Sequence, residues 1–568
     1  MKKILFLLSK KEKNYLIIIS LFLLIGVFVE MISFAIIIPV FNIIFLNSLS
    51  DNFFYSLFFS NKDFLVTKQI KIIILGFLLT IFFLKNIYLI ILNFYTKKFF
   101  YFLNIRLSTD LFNLYLKQNY HFFLNNKSDN LLRKSTYDVV GFQTFLATSQ
   151  SLIIELIFIF FLSILLFTSN FIIFLFFAFV FITILILYIK IIRERIKSWS
   201  YSYQDNIGHV QNLIIEGIRG IKDLMIYNLE RIFSKKFFVF TKDAQLSFFK
   251  VDFINNVQRF WMEILAVFSI TIPIIFFIFL DNDINQLIPI FVLFCVSIFR
   301  VVPSFNRIVQ NYQNMKFYKP SVDIIYKEFS QLKINPNVKT QKKITFQKII
   351  ELKNVNLSYA EGLFKILSSI NIKILKGESV AILGDNGSGK TTLLNTFSGL
   401  FRPSSGKVVI DGQYDIYENN ELWLNNISYV QQNIFLINTS IKKNILLEKE
   451  ALSNNNKFLD ICNILSLDKA FANLPQKLDT IVGNDGLYLS GGQKQLISIA
   501  RALYKDSEVI LFDEANSALD KDYSNILKKL IISLRGKKTL IVVTHELSYL
   551  KECFDKIYRI KSGSLYLE

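Results

Sequence analysis

Apolar residues gather in six runs near or above the roughly 18 residues that cross a bilayer as a helix. They lie at about Tyr15–Phe41, Ile70–Phe94, Phe142–Phe167, Phe171–Ile189, Phe260–Leu280 and Leu287–Val302. The runs lack two-residue alternation, so each predicts a helix apolar all round, a lipid-embedded span. From about Asn306 the pattern turns mixed and Lys-rich, and Gln331–Lys343 predicts an exposed linker. From Ile349, short apolar strands such as Ser379–Leu383, Val509–Phe512 and Leu540–Thr544 alternate with amphipathic stretches, predicting an α/β domain. The expected division is residues 1–325 as a transmembrane domain with cytoplasmic helical extensions, 326–348 as linker and 349–568 as the α/β domain.

The segments between runs fix orientation. Lys97, Lys98, Arg106, Arg133, Lys134, Lys190, Arg193, Arg195 and Lys197 all fall in two long inter-span segments, whereas Thr168-Ser169-Asn170 and Asp281-Asn282-Asp283 carry no cation. By the positive-inside rule the long segments are cytoplasmic, and an even number of spans puts both termini there. The opening Met1–Lys11, basic and followed by more Lys without a small-residue cleavage site, predicts a retained amphipathic helix on the cytoplasmic surface. The one long outside loop, Leu46–Gln69, holds Asp51–Ser60 with four Phe, one Tyr and one Leu; it predicts a short helix in the outer lipid interface or packed on the spans.

Composition narrows the class. At 52% hydrophobic, 15% aromatic and 19% charged over 568 residues, the chain cannot be one soluble domain. The net charge of +20 sits beside apolar runs, which assigns it to the membrane surface; no aromatic-plus-basic platform for nucleic acid is present. Cys295, Cys462 and Cys553, and His121, His209 and His545, show no metal-ligand spacing.

The chemistry lies in the carboxyl-terminal domain. Gly384-Asp385-Asn386-Gly387-Ser388-Gly389-Lys390-Thr391, followed by Thr392, sits between the strand Ser379–Leu383 and a helical pattern. This is a phosphate-binding P-loop: backbone N–H groups and a helix amino terminus wrap the phosphates, Lys390 reaches the terminal ones and Thr391 offers its hydroxyl to Mg²⁺. A second strand, Val509–Phe512, ends in Asp513-Glu514.

Together with Leu489-Ser490-Gly491-Gly492-Gln493, these motifs resemble the ATP-binding cassette (ABC) family over nearly the whole chain. The resemblance implies that Asp513 holds Mg²⁺ through water, Glu514 orients the attacking water, and Gln432 senses Mg²⁺. His545 contacts the γ-phosphate and Tyr359 stacks on adenine, while Ser517-Ala518-Leu519-Asp520 cross a dimer interface. Ser490, Gly491, Gly492 and Gln493 would serve the nucleotide held by a second subunit, which makes a homodimer with two competent sites the economical assembly. Three positions depart from the family pattern: Gln431 for proline, Leu496 for arginine and Asn484 for an acidic residue. Tyr120–Asn126 and Asn212–Lys222 resemble the two helices that couple the membrane domain to the cassettes, and the loop lengths resemble those of exporters.

Cations at membrane depth are candidates for substrate contact. Lys85, Arg259 and Arg300, with Arg307 on the same helical face, suit an anionic phosphate or pyrophosphate head; the alternative is that they snorkel or pair with Glu30, Glu155 or Glu263. The stretch Arg300–Val309, continuing to Ser321–Tyr326, resembles the PglK-type lipid-linked oligosaccharide flippases. That resemblance implies ATP-driven transfer of a polyprenyl-pyrophosphate-linked glycan across the bacterial inner membrane for protein N-glycosylation. The alternatives are another amphipathic cargo, such as lipid A, drug or peptide, and an ATP-gated channel or regulator.

Overall fold

The computed structural model describes residues 2–36, 40, 68–169, 171–279, 284–332, 344–359, 364–418, 420–447, 455–516, 519–545 and 551–568. Two compact units emerge, one of residues 1–118 and 123–334, the other of residues 119–122 and 335–568.

The first unit is helical. Its long members are Lys10–Ala35, Lys68–Leu116, Val139–Ser169, Phe171–Arg219, Glu230–Phe279 and Ile284–Gln331. Four of them run 48 to 50 residues, or about 75 Å at 1.5 Å per residue, more than twice the hydrocarbon thickness of a bilayer. Each therefore continues as the same helix far past its apolar part, as the long cationic segments require. Among the described residues, Lys10–Ser33, Lys71–Leu116 and Ser128–Thr168 are long and apolar enough to cross a membrane. A core of Val27, Met31, Phe158, Leu162, Ile298 and Phe305 joins the first, third and last of the bundle's helices.

Polar ties hold the extensions. Arg106 grips Glu12 through two nitrogens, at 2.5 and 2.7 Å, and donates to the Leu7 carbonyl at 2.9 Å, fixing the short amino-terminal helix Lys2–Leu7. Glu328 accepts from Lys134 at 2.7 Å and from the Tyr115 hydroxyl at 2.9 Å. A π-helical turn, Lys134–Asp138, precedes Val139, and the buried Asp138 accepts from the Ser321 hydroxyl at 3.0 Å.

Short helices interrupt the long ones: Ser128–Arg133 and, near the two coupling segments expected from the sequence, two more. The first, Tyr120–Asn125, lies where expected. The second spans Ile221–Ile226, so the expectation of Asn212–Lys222 is corrected. Asn212–Arg219 stays in the long helix, because Ile214, Ile215 and Ile218 continue a helical apolar pattern through Gly217; the break falls at Gly220, the residue before the short helix. The outside loop Leu46–Gln69 falls almost entirely outside the described residues.

The second unit contains two sheets. The six-stranded sheet has the order β10 (Ser564–Leu567), β9 (Lys556–Lys561), β3 (Ser379–Gly384), β8 (Thr539–Val543), β7 (Val509–Asp513), β6 (Ile427–Val430), parallel from β9 to β6. The four-stranded antiparallel sheet has the order β2 (Phe364–Leu375), β1 (Ile349–Tyr359), β4 (Ser405–Ile410), β5 (Tyr414–Asp415). The central strands are buried on both faces, which is why they read as continuous apolar runs. Val380, Ile382, Val509, Leu511, Ile541 and Val543 pack in one core with residues of the antiparallel sheet, while Ala381, Ile510, Phe512, Leu540 and Val542 pack among helices on the other side. The strands converge at their carboxyl ends on the P-loop, Asp513 and Thr544, the position where open α/β sheets bind ligands.

Candidate functional site

β3 delivers Gly384 to the turn, and the helix Lys390–Phe397 leaves on its far side. A side chain at 384 would put its Cβ 2.5 Å from Ile560 Cγ2 and 2.8 Å from the Ile560 carbonyl oxygen, so only glycine lets the loop lie this close to β9. Gly389 has φ +103°, a left-handed conformation that turns the chain into the helix. Asp385, Asn386 and Gly387 are exposed at the loop's crest, and Thr392 is buried on the helix.

Lys390 is buried, and its ammonium donates to the Gly384 carbonyl at 2.8 Å and the Asp385 carbonyl at 3.0 Å. Burial draws its pKa below the ordinary lysine value against the opposing pull of Glu514 and Asp513. The Ser388 hydroxyl is buried and has no hydrogen-bond partner among the described residues. An orphaned donor and a desolvated cation beside backbone N–H groups fit a polyphosphate, which would satisfy both.

The acidic side of the site is equally unbalanced. Asp513 is 2% exposed; its two carboxylate oxygens accept from the Thr391 hydroxyl at 3.2 Å and from the Tyr429 hydroxyl at 3.3 Å. Burial pushes its carboxyl up, and these two hydrogen bonds only partly oppose that. A carboxylate held dry beside a threonine hydroxyl has the hard oxygen donors that Mg²⁺ takes. Burial, and then the Asp513 charge, raise the Tyr429 hydroxyl, so it remains a donor.

Glu514 has φ +52° just past the strand, which swings its side chain away from the direction β7 would have given it. Its N–H donates to the Val543 carbonyl at 3.0 Å. One carboxylate oxygen accepts from Gln432 Nε2 at 2.7 Å; the other contacts His545 Nε2 and lies 3.9 Å from Lys390 Nζ. His545 Nδ1 is 3.5 Å from Lys390 Nζ. Five residues from four separate segments, Lys390, Gln432, Asp513, Glu514 and His545, thus meet at one spot.

Ser490 and Gln493 form a capping box: Gln493 N–H donates to the Ser490 hydroxyl oxygen at 3.2 Å, and Ser490 N–H to Gln493 Oε1 at 3.0 Å. The Ser490 hydroxyl hydrogen and the N–H groups at the amino terminus of the 15-residue helix Gly491–Lys505 stay available to an anion. Ser490 and Gly491 are exposed and Gly492 partly so.

Other expected residues stand as follows. Tyr359 ends β1, pairing with Phe364, but its side chain is outside the description, as are Ser517 and Ala518; Asp520 precedes the helix Lys521–Leu534. In the membrane unit Arg300 pairs with Glu30 at 2.7 Å and stacks on Phe158 at 4.4 Å, and Arg307 pairs with Glu155. Lys85 is buried with its ammonium 4.4 Å over the Phe82 ring, and Glu30 and Arg300 both lie within its electrostatic reach. The carboxylate-pairing alternative therefore holds for both arginines. The side chain of Arg259 lies outside the described residues.

Two supports escaped sequence reading. Tyr429 looks like one more aromatic in an apolar strand. Asn444, fully buried, accepts from Ile437 N–H at 3.0 Å and from Arg501 Nη2 at 2.6 Å and donates to the Ile437 carbonyl at 2.8 Å. With Arg501 Nη1 donating to the Phe435 carbonyl at 2.6 Å, it pins the segment that follows Gln432.

A family profile for the ABC transporter matches residues 367–517, and one for the ABC transporter transmembrane region matches residues 16–302, half of the chain. The chain belongs to the ABC transporter family. Its fold is that of the type I ABC exporters: a solved bacterial Atm1-family ABC exporter with ATP bound superposes with a TM-score of 0.75 over 98% of this chain and 94% of that one, at 16% identity. Among sequence relatives of this ABC transporter, an ATP-dependent lipid A-core flippase of Francisella novicida is 28% identical over 401 residues, 66% of this chain and 63% of the relative. P-glycoprotein 14 of Caenorhabditis elegans is 35% identical over 236 residues, 41% of this chain and 17% of the relative. This ABC transporter thus spans less than two thirds of either relative's length.

Proposed function

We propose that the protein is one half of a homodimeric, ATP-driven exporter in the bacterial inner membrane, with its ATPase domain and both termini cytoplasmic. Its cargo in this reading is a polyprenyl-pyrophosphate-linked oligosaccharide, moved from the inner to the outer leaflet for protein N-glycosylation. The observation that carries the hydrolytic part is the convergence of Glu514, Gln432, His545 and Lys390 at the mouth of the P-loop.

The work is divided by position. Backbone N–H groups of residues 384–391 and Lys390 hold the phosphates; Tyr359 would stack on the base. Bound Mg²⁺ would neutralise phosphate charge, held by Thr391 and, through water, by Asp513 and Gln432. Glu514 accepts a proton from the attacking water, whose approach is set by the Gln432 amide on one carboxylate oxygen. His545 donates toward the transferring phosphoryl group. Ser490, Gly491 and Gly492 donate to the nucleotide of a second copy, with Gln493 serving that nucleotide by holding Ser490 in the capping box, so each site needs two chains. Such catalysis is positioning plus charge stabilisation.

For the cargo, support comes from the buried cation Lys85 in the second apolar run and from the resemblance of Arg300–Tyr326 to oligosaccharide flippases, Arg300 itself being held by Glu30. Arg259 is kept as a third contact. A second reading, a lipid A-like cargo, is favoured by the relative named as a lipid A-core flippase. Both cargoes join lipid chains to a phosphorylated sugar head.

The test reconstitutes the full chain in proteoliposomes and follows leaflet exposure of a labelled polyprenyl-pyrophosphate glycan, with a lipid A probe alongside. Wild type should expose the glycan in an ATP-dependent way. Glu514→Gln should bind ATP and turn over about 10²- to 10⁴-fold more slowly, the usual contribution of a positioned base. Equal translocation by wild type and Glu514→Gln would sink the ATP-driven reading; transport of lipid A alone would sink the glycan.

A further inference from the structure

Tyr429 stands outside the P-loop, the Asp513-Glu514 pair and Gln432, yet it touches one of them. β6 and β7 run parallel with Tyr429 opposite Leu511, so Tyr429 and Asp513 lie on the same face, two residues apart along the strand direction. That offset is about 6.6 Å at 3.3 Å per residue, a gap that the length of a tyrosine ring spans. The hydroxyl meets Asp513 Oδ2 at 3.3 Å, while Thr391 occupies Oδ1 at 3.2 Å. The ring itself packs against the core that β7 shares with the antiparallel sheet, so the hydroxyl is presented from a fixed base.

We infer that Tyr429 is a positioning residue for Asp513: its hydroxyl holds one carboxylate oxygen so that the other stays directed at the Thr391 hydroxyl and the phosphate pocket. The inference rests on the ATPase reading above. Thr391 cannot do this work alone, because the same hydroxyl oxygen that it places beside Asp513 is the one it offers to a cation. Tyr429 is the donor left to keep the carboxylate from rotating. A carboxylate in a 2% exposed setting has no water to substitute for that donor.

Tyr429→Phe removes the hydroxyl and keeps the ring. On the full chain in detergent, thermal stabilisation by ATP is measured with EDTA and then over a Mg²⁺ titration. The expected result is unchanged stabilisation by ATP in EDTA and about a tenfold rise in the Mg²⁺ concentration that gives half the further effect, the low end for loss of a group that orients a metal ligand. Mn²⁺ titration followed by electron paramagnetic resonance in the presence of ATP should report the same factor, and it reads only folded protein. The Mg²⁺ dependence of hydrolysis should shift in parallel while the rate at saturating Mg²⁺ stays within a few-fold. An unchanged Mg²⁺ midpoint overturns the inference, as does a matching loss of melting temperature and of Mg²⁺-free ATP binding, the pattern of a merely structural aromatic. If wild type itself gains nothing from Mg²⁺ with ATP, the ATPase reading falls and takes the inference with it.

Discussion

Asn444 offers the sharpest test of how the site is supported. Truncation to alanine removes six side-chain hydrogen bonds, two accepted from Ile437 N–H and Arg501 Nη2 and four donated to the Ile437, Thr439 and Ser440 carbonyls and the Thr439 hydroxyl, and leaves Arg501 with only its two bonds to the Asn444 and Phe435 carbonyls. An unsatisfied buried polar group costs about 1–3 kcal/mol. Ile437 is 37% exposed, so water can reach part of what is orphaned. The discounted sum is about 2–4 kcal/mol, a large share of the ~5–15 kcal/mol that a domain has. For an ATPase domain of this size that lowers the melting temperature by about 5–15 °C. The assay is thermal unfolding of the full chain with and without saturating ATP. Because Gln432 sits at the head of the pinned segment, ATP turnover should fall with the alanine variant even below its melting range. A melting temperature within about 1 °C of wild type would refute the argument, since it would mean that these bonds are exchanged for water without cost.

Three further outcomes are expected. Ser490→Ala removes the cap of Gly491–Lys505; it should cost about 1 kcal/mol in denaturant unfolding and should lower ATP-dependent dimerisation well beyond that stability change, as read by light scattering. Cys462 is 3% exposed, and burial, then Asp468, push its thiol up to about 11. Roughly a thousandth of it is thiolate at pH 8; mapped alkylation should be negligible in native protein there and rise as pH approaches 11. Arg300→Met should destabilise by about 1–3 kcal/mol by leaving the half-buried Glu30 without the guanidinium that pairs it, and Glu30→Gln in the same chain should recover most of the loss in a melting experiment. Failure of that rescue would return Arg300 to the substrate.

What could be read from the sequence was whatever is local along the chain. The P-loop carries its own turn chemistry within eight residues, and Asp513-Glu514 follow a strand that is unmistakable because both its faces are buried. What could not be read depends on which strands are neighbours. Tyr429 acts on Asp513 only because β6 lies beside β7 in parallel register, and Arg501 reaches Asn444 across 57 residues of chain. The second short helix starts nine residues after the expected Asn212 because Gly217 and Gly220 look alike as helix breakers, and only packing decides which one breaks. The membrane arginines posed the same problem: their carboxylate partners lie 152 and 270 residues away.

The left-handed backbone at Glu514 sets fold against work. A non-glycine residue in that conformation carries about 1–2 kcal/mol that glycine would not. Selection for heat resistance alone would therefore drift toward glycine at 514, and on the proposed reading its winners would be sturdy, well folded and unable to hydrolyse ATP. On the proposed reading, the glutamate at 514 is a local cost to the fold that only ATP turnover offsets.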